Sequence, residues 1–109
     1  MFLNQDPYLS FWTTSTSALN PHPRTCTKKH AGRKAVWNEE FTIGVDDPNT
    51  EHFYLQVMND NKYSDHALIG EVKFCCSDLK DTMVDSWVKI YRADGDNAGE
   101  VLISAGIQE

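Results

Sequence analysis

With 109 residues the chain has room for one domain with a modest core, and a second domain is not expected. Hydrophobic residues make up 40% and charged residues 24%, a globular composition, and no apolar run approaches the roughly 20 residues of a membrane span. A net charge of -6 argues against sequence-independent nucleic-acid binding, although residues 1–45 carry +2 and the remainder -8.

The N-terminus lacks the basic start and long apolar segment of a secretory signal, and no Asn-x-Ser/Thr sequon occurs, so a cytoplasmic location is the default expectation. Residues 8–14 alternate in a β-favouring run just after Pro7, where a proline costs a strand least, and are read as the first strand. Residues 13–23 are rich in Ser, Thr, Asn and Pro and read as an irregular loop. A short, edge-like strand is expected at 26–29, ending in a turn at Ala31-Gly32. The basic residues of the first half, Arg24, Lys28, Lys29, Arg33 and Lys34, fall within eleven positions. Such a cluster attracts phosphate groups, and it equally suits a solvated strand face.

In residues 36–45, Phe41, Ile43 and Val45 alternate with Glu40, Thr42 and Gly44, which predicts the clearest strand of the first half. Asp46-Asp47-Pro48-Asn49 closes it as a turn. Phe53, Leu55 and Val57 then alternate with Tyr54, Gln56 and Met58, and residues 68–74 resume the apolar pattern. Between these two strands lies a loop whose Asn59, Asp60, Asn61, Ser64 and Asp65 offer carbonyl, carboxylate and hydroxyl oxygens, the hard ligands calcium prefers. The same residue types dominate turns for conformational reasons, so the loop's composition leaves both readings open.

Residues 77–85 predict a short helical turn capped by Ser77, with Leu79, Met83 and Val84 as its apolar face. Two last strands are expected at 87–91 and 100–107, joined by a polar connector at 94–99. Counted as an EF-hand loop from Asp94, that connector places Ala98 and Ala105 where oxygen ligands are required, so it reads as a hairpin turn. Cys75 and Cys76 point to opposite faces of a strand, and together with Cys26 they are expected as reduced thiols. The histidines and cysteines lack zinc-ligand spacing. No nucleophile elbow or phosphate-binding glycine loop appears, so the chain is not read as an enzyme. About seven short strands with turns between them indicate an all-β, antiparallel sandwich or barrel.

Three landmarks in order, Asp6-Pro7-Tyr8, Val36-Trp37-Asn38-Glu39-Glu40-Phe41, and residues 57–70 ending in Leu68-Ile69-Gly70-Glu71, resemble a C2 domain, and the likeness continues through Trp87 and residues 99–104. This resemblance implies an eight-stranded antiparallel β-sandwich whose loops at one end bind calcium and phospholipid, with protein partners as a common variant. It also implies that residues 1–109 are a single C2-like domain lacking the family's first strand, with about seven of eight strands present. In the permuted order that this chain resembles, the first strand lies beside the last, so residues 100–107 are expected to carry an exposed edge.

Carried over one residue at a time, the family's calcium ligands are reduced to a weak or vestigial set of Asp6, Asn59, Asn61 and Asp65. The family's Asp-x-Asp is here Asn59-Asp60-Asn61, the later aspartate is Ala67 with Asp65 nearby, and an earlier partner of Asp6 falls before Met1. Charge count tunes calcium affinity over many orders of magnitude, so calcium is expected to bind weakly or not at all. The function this implies is a phospholipid-binding module with little calcium dependence, in which Lys28, Lys29, Arg33 and Lys34 meet an anionic membrane surface. The alternative is a calcium-independent protein-interaction module, whose partner completes the sheet.

Overall fold

The computed structural model describes residues 6–27, 34–60 and 66–107. Six strands appear among them: β1 Pro7–Thr13, β2 Lys34–Ala35, β3 His52–Asn59, β4 Ala67–Cys75, β5 Met83–Tyr91 and β6 Asn97–Ala105. They hydrogen-bond in the order β1-β3-β4-β5-β6-β2, antiparallel throughout except for the two-residue parallel pairing of β2 with β6. The sheet is nearly cut in two, because β4 and β5 pair only at Glu71 and Tyr91. At that seam it curls, so that β1-β3-β4 and β5-β6-β2 turn their apolar sides toward one core.

That core follows from the two-residue period of strand side chains. Leu9, Phe11, Leu55, Val57 and Ile69 come from one half, Ile90, Ala98 and Val101 from the other, and Trp37 fills the space between. Each large apolar side chain buried in this way contributes about 1.5–3 kcal/mol relative to leaving it in water. The halves approach most closely at Gly70. A Cβ there would sit 2.7 Å from Ile90 Cγ2, 2.9 Å from the Tyr91 carbonyl oxygen and 3.2 Å from Ala98 Cβ, so only glycine fits the seam.

The all-β sandwich expected from the sequence is the observed architecture, and five of the expected strands recur, each with at least one end moved by a residue or more. Three segments differ. Residues 36–45 form no strand ladder. Asn38 takes a left-handed backbone, φ 52, which turns the chain just after Trp37 buries its ring. The alternation of Phe41 and Ile43 is nevertheless real as packing: Phe41 meets Phe11 edge to face at 4.8 Å and Ile43 packs against the core. The strand expected at 26–29 does not form at Cys26 and Thr27; pairing there is an isolated bridge of Arg24 with Ser10, beside which the Thr25 N–H donates to the Leu9 carbonyl at 2.9 Å. Lys28 and Lys29 lie outside the described residues. The helical turn is a 3-10 segment, Cys76–Lys80, capped by Cys75 without a side-chain bond, and Met83 already belongs to β5. Leu79 is buried as expected, but Val84 is 65% exposed. The connector at 94–99 is a hairpin turn, with Arg92 N–H donating to the Asp96 carbonyl and Gly95 at φ 92.

At the end where β1 finishes and β3 begins, one carboxylate ties two loops together. Glu51 Oε1 accepts the Ser15 N–H at 2.7 Å, and Oε2 accepts the N–H groups of Asp46 and Asp47 at 2.6 and 2.5 Å. The hydrogen bonds from Asp47 and Ser15 hold its carboxyl below the usual glutamate range, against the opposing effect of burial.

Candidate ligand-binding loops

The opposite end of the sheet gathers the residues singled out in the sequence. Antiparallel pairing of β1 with β3 sets Pro7 against Asn59, so the start of one strand and the end of the other share this end. Two hydrogen bonds lock them together: the Asp6 N–H donates to Asn59 Oδ1 at 2.9 Å, and the Asp60 N–H donates to the Asp6 carbonyl at 2.9 Å. Of the four expected calcium ligands, Asp6 and Asn59 are thus neighbours, and Asn61 and Asp65 lie outside the described residues. The fit to calcium is poor among the described residues. Asn59 turns its amide oxygen to a backbone donor, and no group of three His, Cys, Asp or Glu side chains is placed to hold a metal.

Of the expected headgroup-binding residues, Lys28, Lys29 and Arg33 lie outside the described residues, while Lys34 opens β2 opposite Glu100 of β6. The segment leading into the basic cluster is tied to the loop end directly: Thr27 Oγ1 donates to Asp60 Oδ2 at 2.8 Å.

A second arrangement at this end, which joins Tyr8, Arg24 and Asp60 to Thr27 and His66, was not foreseen from the sequence. The His66 imidazole bridges two elements, with Tyr8 Oη 2.6 Å from its Nδ1 and Asp60 Oδ1 3.0 Å from its Nε2. Both side chains of the His66–Asp60 pair are about one-third exposed, at 35% and 33%. The Arg24 guanidinium lies over the Tyr8 ring, 3.5 Å from its centroid, and an Arg24 terminal nitrogen donates to Thr27 Oγ1 at 3.2 Å. Tyr8, Arg24, Thr27, Asp60 and His66 therefore form one connected polar ring around the loop end. In the sequence His66 has no role beyond its lack of zinc-ligand spacing, because Tyr8 and His66 are 58 positions apart and meet only through strand pairing.

Beside this ring, Leu68, Ile69, Gly70 and Glu71 of β4 face Tyr91, Arg92 and Ala93 across the seam and line a shallow cleft of about 240 Å³. Leu68 and Tyr91 are 49% and 42% exposed, so the cleft has an apolar rim with a guanidinium next to it. Such a surface can accommodate the chemistry of an amphipathic boundary, apolar groups beside charged ones. No helix among the described residues is long and apolar enough to cross a membrane.

The C2 domain lettered A of a plant extended synaptotagmin 1, solved at 2.0 Å, is similar in structure: the TM-score is 0.66 at 17% identity, over 96% of this chain and 81% of that one. At that identity the likeness establishes the fold. A family profile described as C2 domain matches residues 2–90, most of the chain and all three landmarks from Asp6 to Glu71. The chain belongs to the C2 domain family.

Proposed function

We propose that this C2 domain docks on anionic phospholipid surfaces with little or no help from calcium. The observation that carries the reading is the Asp6–Asn59 lock: an amide oxygen accepts a backbone N–H where the family pattern has a charged metal ligand. Charge for an anionic surface then comes from the segment after Thr27, where Lys28, Lys29, Arg33 and Lys34 cluster. Each basic residue near an anionic bilayer is worth about 1 kcal/mol, so four supply useful, salt-sensitive binding. Replacing these four by alanine is expected to weaken binding to phosphatidylserine or phosphoinositide vesicles by about three orders of magnitude. Vesicle binding that survives this change, or that ignores salt, points to insertion of the apolar rim at Leu68 and Tyr91 instead.

Calcium affinity is expected to be weaker than about 1 mM, beyond the weak end of ordinary protein sites. Titration calorimetry giving a micromolar constant would overturn this. Asn59→Asp, Asn61→Asp and Ala67→Asp together return three carboxylates and are expected to strengthen calcium binding; a triple variant no better than the parent means the ligand register is wrong.

A protein-interaction role is the second reading. Among the described residues, β2 pairs with β6 at Glu100 and Val101 and stops there, which favours a partner strand along residues 102–105. Peptide binding that raises the melting temperature with no response to vesicles would select it.

A further inference from the structure

Residues 36–45 are patterned as a strand and lack a strand's bonds. Their alternation sets Phe41 edge to face on Phe11 at 4.8 Å and packs Ile43 against the core, while Glu40, Thr42 and Gly44 beside them are exposed. The side chains are thus placed as on the edge of a sheet, yet the backbone has no ladder partner. Among the described residues, the main-chain group of this stretch that finds a partner is the Gly44 carbonyl, which accepts from Thr13 Oγ1 at 2.5 Å.

The apolar cover is incomplete in the same place. Phe41 is 42% exposed, and Phe53 and Phe74, which continue the row of rings from Phe11 at spacings of 6.3 and 6.2 Å, are only half-buried. Trp37, at the head of the stretch, buries its indole N–H without an acceptor, a state that folded proteins rarely leave uncorrected.

Charge says what kind of segment fits. Glu39 and Glu40 stand at one end of the stretch and Asp46 and Asp47 at the other, all four exposed, and no Lys or Arg occurs from Val36 to Asp60. Glu39 accepts the Cys26 N–H at 2.9 Å and Asp47 accepts the Asn49 N–H at 3.0 Å, bonds that leave both carboxylates charged. None of the four forms an ion pair among the described residues, and Lys80, which reaches the far end, bonds Asn49.

We propose that residues 39–45 are a docking edge for an extended segment of a partner protein, one that alternates apolar side chains and carries Lys or Arg at both ends. The guest backbone supplies the bonds that the stretch lacks, its inward side chains cover Phe41, and its cations meet the two acidic pairs. Main-chain pairing gives the affinity and charge gives the selection. The site is distinct from the open part of β6, where Leu102, Ile103, Ser104 and Ala105 carry no charge to select a guest, and from the basic residues assigned above to the lipid surface.

The test uses a fluorescently labelled peptide, Lys-Lys-Val-Thr-Val-Thr-Val-Lys-Lys, beside two controls: the same peptide with Glu in place of every Lys, and the Lys peptide N-methylated at alternate residues, which keeps its charge and removes main-chain donors. Anisotropy is expected to show saturable binding of the Lys peptide, binding about tenfold weaker for the methylated form, and none for the Glu form. Glu40→Lys with Asp46→Lys is expected to weaken the Lys peptide by about tenfold with no change in melting temperature, since neither side chain carries a bond among the described residues. Amide exchange is expected to slow at residues 39–45 when the peptide is bound. Equal binding of the methylated peptide, binding that ignores the double variant, slowed exchange at 102–105 instead, or no binding of the Lys peptide each overturns the proposal, and none of these outcomes bears on vesicle binding.

Discussion

Adding one methyl group at Gly70 tests whether the curled sheet closes where the seam places it. The new Cβ would meet three groups inside normal contact distance: Ile90 Cγ2 at 2.7 Å, the Tyr91 carbonyl oxygen at 2.9 Å and Ala98 Cβ at 3.2 Å. None of them can swing aside. Ile90 and Ala98 are fully buried, and Tyr91 is the residue through which β5 pairs with Glu71 of β4. Overpacking a tight site costs about 1–3 kcal/mol, and three rigid neighbours put Gly70→Ala toward the upper end. Alanine also narrows the unfolded ensemble, which returns about 0.4–1 kcal/mol. The net expectation is a loss of about 2 kcal/mol, or a melting temperature lower by about 8–16 °C in a domain of this size. Thermal unfolding followed by circular dichroism reads the loss, and amide exchange shows whether the protection lost is concentrated at Glu71 and Tyr91. A variant that melts within about 2 °C of the parent would refute the seam, since overpacking of this degree moves the midpoint further.

Two further outcomes follow from the opposite end of the sheet. Glu51 titrates below the usual glutamate range in the folded state, so its contribution is complete above the ordinary value of 4.5 and is lost as pH falls through the depressed one. Urea unfolding across that range is expected to show a flatter acid limb for Glu51→Gln, with lower stability at neutral pH; an unchanged slope refutes the assignment. The cysteines should divide by access, since Cys26 and Cys75 are exposed while Cys76 is buried. Burial, with the Glu51 and Cys75 charges adding, pushes the Cys76 thiol up, so iodoacetamide at neutral pH is expected to label two sites quickly and the third only on unfolding. Rapid labelling of Cys76 in the native protein, located by peptide mapping, would contradict this.

Strands were legible in the sequence wherever one face meets the core and the other meets a hydrogen-bonded neighbour. The segments around Phe53–Val57 and Ile69–Phe74 met both conditions, and the pairing of Phe53 with Phe74 and Leu55 with Val72 follows from their shared period. Residues 41–45 met only the first. Their alternation correctly reports that Ile43 turns inward, but periodicity carries no information about whether the backbone finds a ladder partner, and the left-handed Asn38 had no apolar signal at all. The same limit governs the site. Asp6 and Asn59 could be joined from the resemblance, because the order of landmarks carries the topology with it. The Tyr8–His66 contact depends on register: β1 must set Tyr8 against Met58, and the segment through Arg24 must lie along Ser10. No local window contains those residues together.

The register also explains why an amide suits position 59. Asn59 and Asp6 are brought together by the β1–β3 ladder whatever their charges, and Asp60 follows by chain connectivity. A carboxylate at 59 would add a third negative charge to those of Asp6 and Asp60 at this end, an arrangement that needs a cation to be stable. An amide oxygen accepts the same Asp6 N–H without that charge, so the loop end holds its own shape by hydrogen bonds. Asp60 can then turn to Thr27 and His66 instead of to a metal. Asn59→Asp alone is therefore expected to lower stability in the absence of calcium and to regain part of it when calcium is added. A single substitution that lowers stability equally with and without the ion would mean that the end is held by packing rather than by the balance of charge.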